Sequence, residues 1–232
     1  MDSITRSVRH ALFTFWLEHC RPPTVDELAS ASCKDAAVTR KALTDLQDKH
    51  HIVLYDDHLC TPSPVAMAHP FSHLPTTFSV HQGSRSWWTN CAWCGFGLAS
   101  MLAPEEVILK ARSGSIGKEM TFLISGDQIL CNGSEEEGKN CRIHFSIPPS
   151  RWWDNVRLAC GTIQLFASEA EAREWPEKYG FRKGAYMDLA TLWELSKVWY
   201  HDKHRYEYER KTSEEVRKIY SELGMSSPYW ST

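Results

Sequence analysis

Two thiols lie three residues apart in the segment 86–97, which reads SWWTNCAWCGFG and places Cys91 and Cys94 among three tryptophans. Farther along the chain, the aromatic run 151–154, RWWD, precedes another thiol, Cys160. Thiolates are preferred ligands of soft metal ions. One hypothesis is therefore that Cys91, Cys94 and Cys160 converge on a single soft-metal site.

The spacing of Cys91 and Cys94 alone leaves three interpretations open. A Cys-x-x-Cys pair at a helix start has a physical rationale, because the free amides and the helix dipole stabilise thiolate. A dithiol redox motif would be expected in a β-α-β context with a proline inside the pair, and neither is present. A structural zinc site would need a second close pair, whereas Cys131 and Cys141 are ten residues apart. The third interpretation is a soft-metal or organometal site completed by a distant thiol.

The composition indicates which partners and which cellular compartment to expect. The 232 residues contain 26 Lys and Arg against 29 Asp and Glu, so net charge does not indicate a nucleic-acid or anionic-membrane partner. No apolar run approaches the ~20 residues of a membrane span, and the segment 11–17 lacks the features of a signal peptide. Eight cysteines without a secretory signal favour a reducing, cytoplasmic compartment. Cys20, Cys33 and Cys60 are interpreted as small buried hydrophobic residues.

The first 62 residues have the element order of a winged helix. The pattern predicts, in order, a helix over 4–20, a short helix capped by Thr24, a helix over 34–50 and a β-hairpin over 51–59 with its bend at Asp56-Asp57. Thr24 and Glu27 have the spacing of a capping box. The residues 34–50 balance acidic against basic side chains, whereas a helix that reads DNA normally has a basic excess. We therefore favour a packing module over a DNA-binding one.

The rest of the chain divides into an arm over 63–85 and a core over 86–232. The arm is rich in Pro, Ser and His, which predicts an irregular connection with one strand at 77–81. In the core the pattern predicts a helix from the central motif to about 101, strands over 106–112, 119–125, 128–131, 141–147 and 158–166, a turn over 132–140, a short helix after Pro148, and helices over 168–178, 186–200 and 213–224. The predicted fold class is α+β, with mainly antiparallel strands walled by helices.

The chain resembles the alkylmercury lyase (organomercurial lyase) family. The likeness is carried by WWTNCAW at 87–93, RWWDN at 151–155 and CGTIQLFAS at 160–168. It extends to the helical module before these motifs and to the aromatic residues of 192–200 and 228–230 after them. The resemblance implies a winged-helix-like module that does not bind DNA, ahead of a mixed α/β catalytic core.

The resemblance also implies a reaction, in which a carbon–mercury bond is cleaved by protonation of carbon. Two cysteines ligate mercury in that reaction, and an acid supplies or relays the proton. By position, Cys91 matches the first catalytic cysteine of the family and Cys160 the second. The implied substrate is a small organomercurial, with no cofactor required, a mercury ion bound as product, and small thiols to remove it. Neither nucleic acid nor membrane is expected as a partner.

One position departs from the family. Its usual pattern is Cys-Ala-x-Asp, and Cys94 stands where the carboxylate would be. A thiol, with a pKa of ~8.5, can deliver a proton but also ligates a soft metal more strongly. Cys94 is thus expected to be the proton donor or a third ligand. The alternative is a repurposed copper or zinc site, in an enzyme of other chemistry or a metal sensor or store.

These hypotheses set geometric requirements. Two thiolates that share one metal ion need sulfurs about 4–5 Å apart, because metal–sulfur bonds are ~2.3 Å or a little longer. A pocket open to solvent should lie beside Trp93. The tryptophans at 87, 88, 152 and 153 are expected to be core walls that exclude water. No histidine is assigned as a ligand, because none has a metal-site spacing.

Overall fold

The computed structural model describes residues 1–56 and 61–231. It has the predicted α+β class, with helices packed against antiparallel sheets. The helices are α1 (Ser3–His19), α2 (Val25–Ser32), α3 (Ala36–Asp48), α4 (Ala92–Leu102), α5 (Glu135–Asn140), α6 (Val156–Gly161), α7 (Glu169–Tyr179), α8 (Leu189–Tyr200) and α9 (Ser213–Glu222). The strands are β1 (Val53–Leu54), β2 (Val65–Ala68), β3 (Phe71–Ser72), β4 (Phe78–Gln82), β5 (Arg85–Trp88), β6 (Val107–Arg112), β7 (Glu119–Ser125), β8 (Gln128–Cys131), β9 (Arg142–Phe145), β10 (Gln164–Phe166) and β11 (Ala185–Asp188).

The first three helices pack on one another and lead into a small sheet of order β1-β2-β3. The predicted capping box is present, since Thr24 accepts a hydrogen bond from the amide of Glu27 and the Glu27 carboxylate accepts one from the amide of Thr24. The bend predicted at Asp56-Asp57 and the strand after it fall largely on 57–60, outside the described residues. The winged-helix assignment therefore stays a prediction.

The largest sheet has the order β5-β4-β6-β7-β8, and all of its neighbours are antiparallel. β6 alternates buried and exposed residues, and its inward face packs against α4. The segment 63–85 was expected to be irregular apart from one strand, but it also contains β2 and β3. These short strands fit between its prolines, and β4 pairs with β6 deep in the core. The division at 62 and 85 remains a proposal.

Three segments of the core differ from their predicted structure. The strand expected over 158–166 is α6 followed by β10, the turn expected over 132–140 contains α5, and the helix expected over 186–200 begins only after β11. In each case a polar side chain caps the helix, namely Asn155, Ser134 and Asp188. Each cap accepts a hydrogen bond from an amide three residues on, which satisfies a free donor of the first turn.

The cysteines outside the central motif are not all buried. Cys20 and Cys33 end α1 and α2 in the left-handed region, with φ of 56° and 54°. Cys20 is half-buried and Cys33 is exposed, so the interpretation as a buried hydrophobic residue is wrong for Cys33. Cys60 lies outside the described residues. Among the helices in the described ranges, none is long and apolar enough to cross a membrane.

A buried arginine connects the N-terminal helices to the C-terminal segment. Arg9 on α1 is fully buried and donates hydrogen bonds to the carbonyl oxygens of Lys203, at 2.6 Å, and of Arg205. Its guanidinium carbon lies 5.4 Å from the ring centre of Phe13 and 5.0 Å from that of Tyr208. Burial lowers the pKa of Arg9 to about 10, so the side chain stays charged at neutral pH. α1 thus fixes the path of the chain near Lys203.

We expect Arg9→Met to lower the free energy of unfolding by about 3 kcal/mol, because two buried carbonyls lose a charged donor. Urea unfolding followed by circular dichroism measures this change. Arg6→Met is a matched control on the same helix, since Arg6 forms partly exposed ion pairs with Glu207 and Glu209. Its loss should cost less than ~1 kcal/mol. Equal losses in the two variants would contradict the anchoring role of Arg9.

Candidate active site

The central motif places its two thiols at the start of α4. Cys91 is the residue before the helix, and its sulfur accepts a hydrogen bond from the amide of Cys94 at 3.4 Å. Cys160 lies on α6, which is linked to α4 through a hydrogen bond from the amide of Ala92 to the carbonyl of Ile163 at 3.4 Å. The positive end of α4 therefore points at the sulfurs, which favours a negative charge there.

The sulfur atoms of Cys91, Cys94 and Cys160 all lie within 4.8 Å of one another, and all three side chains are buried. This is the separation required for two thiolates to share one metal ion. Within residues 1–56 and 61–231, no other group of three His, Cys, Asp or Glu side chains is close enough to hold a metal ion. Cys131 and Cys141 do not join the cluster, so the four-cysteine zinc alternative does not form.

The three sulfurs are too close in a buried site to ionise independently. Burial raises the pKa of Cys91. Hydrogen bonding to Cys91 lowers the pKa of Cys160, but its interaction with Cys94 and its burial raise that pKa above the ordinary value. Burial would also raise the pKa of Cys94, yet the Cys160 and Cys91 thiols lower it well below its usual range. These shifts favour Cys94 as the first of the three thiols to ionise.

Two side chains that the sequence did not assign contact the cluster. Nε2 of His69 lies 3.2 Å from the sulfur of Cys160, and the hydroxyl of Tyr200 lies 3.5 Å from that of Cys94. His69 comes from the turn between β2 and β3 and Tyr200 from the end of α8. In the sequence, His69 could have been suspected from the histidines and prolines before the central motif, and Tyr200 from the Trp199-Tyr200 pair.

The ionisable neighbours of the cluster are largely neutral. Burial lowers the pKa of His69 to about 4 and raises that of Tyr200 well above its usual value. Lys203 is also buried, and burial lowers its pKa to about 7. Its ammonium nitrogen lies 5.0 Å from the ring centre of Tyr200. Lys203 can therefore exchange a proton near neutral pH, while His69 and Tyr200 act as neutral hydrogen-bonding groups.

A cavity of about 110 Å³ contains the three cysteines, and aromatic rings form its walls. Trp93 lies at its centre, with ring centres 5.4 Å from Trp152, 5.1 Å from Trp199 and 5.5 Å from Tyr200. The indole nitrogen of Trp93 is buried without a hydrogen-bond partner. The cavity is thus apolar around the thiols and has one unused donor.

Basic and imidazole groups surround the cavity. Lys203, Arg210 and Lys211 line it together with His50. The ring centre of Trp153 lies 4.3 Å from that of His50 and 5.4 Å from the guanidinium carbon of Arg210. These groups come from the residues just after α3 and from the segments on either side of Tyr208, before α9, so elements distant along the chain help to form the cavity.

The tryptophans expected as core walls divide into three types. Trp87 is buried in the core and donates from its indole nitrogen to the carbonyl of Trp16 at 2.9 Å. Trp152 and Trp153 are half-buried and line the cavity. Trp88 is 40% exposed, so the expectation is wrong for this residue. It lies on β5, an edge strand, and points away from the core.

Two glycines in α4 allow the neighbouring elements to come close. A Cβ at Gly95 would lie 2.8 Å from Cδ1 of Leu109, and one at Gly97 would overlap the ring of Tyr200. Because Gly97 has no side chain, α8 packs directly on α4 and its last residue reaches Cys94. The glycines that appear unfavourable for a helix in the sequence are thus required by the packing of the site.

A sequence profile of the family described as MerB, alkylmercury lyase, matches residues 71–201, more than half of the chain and all three cysteines of the cluster. The chain therefore belongs to the alkylmercury lyase family. A similar fold is found in the crystal structure of the mercury-bound form of MerB2, with a TM-score of 0.67 and 17% identity, over 88% of this chain and 93% of that chain. No curated protein matches the sequence.

We expect Tyr200→Phe to raise the pKa of Cys94, because the tyrosine hydroxyl stabilises the thiolate. The thiolate absorbance near 240 nm, titrated against pH under reducing conditions, should therefore appear at higher pH than in the wild type. Tyr220→Phe is the control, since the hydroxyl of Tyr220 is buried without a partner and lies outside the cluster. An unchanged titration in Tyr200→Phe would mean that this hydroxyl does not act on Cys94.

Proposed function

We propose that the protein cleaves the carbon–mercury bond of small organomercurials by protonolysis. The observation that carries the proposal is the cluster of three buried sulfurs within 4.8 Å of one another, at the end of an aromatic cavity on the scaffold of an alkylmercury lyase. Soft sulfur ligands bind mercury, and an apolar wall accommodates the hydrocarbon group. The thiols supply both the ligands and the proton, so the reaction requires no cofactor.

Cys91 and Cys160 become the two mercury ligands in this proposal, and Cys94 handles the proton. Cys91 attacks the mercury atom of R–Hg–X, where X is a bound thiolate, and gives its proton to the Cys94 thiolate. Cys160 then passes its proton to the neutral His69 and binds mercury as a thiolate, which increases the electron density on carbon. Cys94 transfers its proton to carbon, releases R–H and accepts the proton of Cys160 from His69. Two mercury–sulfur bonds form, the bonds to carbon and X break, and X leaves as an anion, so charge balances.

The neighbours of the cluster support these steps. His69 is neutral and 3.2 Å from Cys160, so its nitrogen can accept the Cys160 proton in a hydrogen bond and orient the thiol. Tyr200 stabilises the anionic form of Cys94 in the resting state. Exclusion of water by Trp93 and Trp152 strengthens the electrostatic interactions within the cavity.

The basic groups around the cavity suit small anionic thiols as partners. Arg210 and Lys211 line the cavity, and positive charge raises the local concentration of anions. Such a thiol can exchange with the protein thiolates and remove the mercury ion. We also propose that the module 1–62 is a packing module, because His50 and His51 line the cavity.

The proposal is tested by incubating the protein with methylmercury and excess glutathione and measuring methane in the headspace. Wild-type protein should release methane catalytically. Cys91→Ser and Cys160→Ser should each lower the rate about 1,000-fold or more, because a hydroxyl hardly ionises near neutral pH and is a poor ligand for mercury. Cys33→Ser is the control, since Cys33 is exposed at the end of α2. Near-normal turnover in either site variant would contradict the two-thiolate mechanism.

The role of Cys94 is tested by two substitutions measured in the same assay. Cys94→Asp should keep or raise the rate, because a carboxylate suits proton relay. Cys94→Ala should lower it about 100-fold or more, the typical contribution of a positioned acid or base. Reductant must be present, since Cys91 and Cys94 could otherwise form a disulfide. If Cys94→Asp loses activity as strongly as Cys94→Ala, the relay role is wrong.

A second candidate function rests on the third sulfur. Three thiolates in one buried cluster also suit copper or zinc, as a site for other chemistry or for sensing or storing metal. In that case Cys94→Asp would weaken binding of the soft metal and gain little lyase activity. Wild-type protein that is inert toward methylmercury but retains copper through all three cysteines would favour this function over the lyase.

A further inference from the structure

A second pair of thiols lies outside the proposed active site. Cys131 ends β8 and Cys141 follows α5, and their sulfur atoms are 4.0 Å apart. Both side chains are buried, with 1% and 0% of their surface exposed. The proposed lyase reaction uses neither of them.

The backbone holds both cysteines in place. The amide of Cys131 donates to the carbonyl of Ser134 at 3.0 Å, and the amide of Ser134 donates back to the carbonyl of Cys131 at 2.8 Å. The amide of Cys141 donates to the carbonyl of Gly138 at 3.1 Å, and its thiol donates to the carbonyl of Glu137 at 3.2 Å. The strand end, the turn and the short helix therefore fix the distance between the sulfurs.

That distance is closer to a metal-bridged pair than to a disulfide. A linear ion with metal–sulfur bonds of ~2.3 Å or slightly longer separates its two sulfurs by about 4.6–4.8 Å. The 4.0 Å between Cys131 and Cys141 must open by less than an ångström to reach this span. A disulfide needs sulfurs ~2.05 Å apart, so the same pair would have to close by about 2 Å.

The pair lines a cavity of about 150 Å³. Met120, which is also buried, lines the same cavity. Exposed polar side chains lie around it, namely Lys118, Asn132, Glu137 and Asn140. A small ion that enters this cavity lies next to both cysteines.

We propose that Cys131 and Cys141 form a second site for a soft cation with linear two-thiolate coordination, such as the mercuric ion or monovalent copper. Two metal–sulfur bonds form, and both thiols release their protons to solvent, so no electron transfer is involved. Thiolate ligands select such ions over harder ones. The site binds the cation independently of carbon–mercury cleavage.

The test is equilibrium dialysis of the full chain against mercuric chloride with excess glutathione, which suppresses binding by single thiols. A parallel anaerobic titration with monovalent copper shows which cation the site prefers. Wild-type protein should retain two equivalents of at least one of these ions. The double variant Cys131→Ser, Cys141→Ser should retain one, and Cys20→Ser, Cys33→Ser, which removes two unclustered thiols, should retain two.

A misfolded double variant would also bind less metal, so the second site is measured on wild-type protein as well. The amide resonances of Cys131, Gly133 and Cys141 should shift in step with the second equivalent of the metal ion. Retention of the same number of equivalents of each ion by wild-type protein and by the double variant would overturn the proposal. So would a second equivalent that leaves these resonances unchanged, or a Cys131–Cys141 disulfide that persists in excess glutathione.

Discussion

The structure depends on a single electrostatic constraint, which is that three sulfur atoms lie within 4.8 Å of one another in a buried site. Two thiolates so close together would repel strongly at low dielectric. The surroundings therefore favour one negative charge. The start of α4 supplies an amide to Cys91, and the hydroxyl of Tyr200 lies beside Cys94. A soft cation bound by two of the sulfurs, as proposed for mercury, would remove the repulsion.

Much of the fold positions these groups around α4. The helix is buried on nearly every side, between the five-stranded sheet and α8. Gly95 and Gly97 permit that close approach, and Arg9 fixes the segment that carries Lys203 from the opposite side of the molecule. His50 and His51, which follow α3, also line the cavity.

The replacement of the family's carboxylate by Cys94 changes the balance between two properties. A carboxylate is a hard base that relays protons and binds mercury weakly. A thiolate can also relay protons, but it binds mercury more strongly. Donors around Cys94 lower its pKa. In the proposed lyase, the thiol therefore makes the site softer while it keeps a group there that ionises readily. The Cys131–Cys141 pair gives the chain a second sulfur-rich cavity.

The sequence by itself determined the fold class, most helices and strands of the core, and the three cysteines that converge. Local signals suffice for these features, because the Thr24 capping box, the alternation in β6 and the family motifs around Cys91 and Cys160 are each contained in a short stretch. Only the tertiary structure decided the neighbours of the sulfurs. His69, Tyr200 and Lys203 come from separate segments of the chain, and the local signals near His69 and Tyr200 do not show which side chains reach the sulfurs. The prediction of a strand over 158–166 failed for the same reason. This segment begins as a helix because of the Asn155 cap and the packing of Cys160 against α4, and its own hydrophobicity does not indicate that.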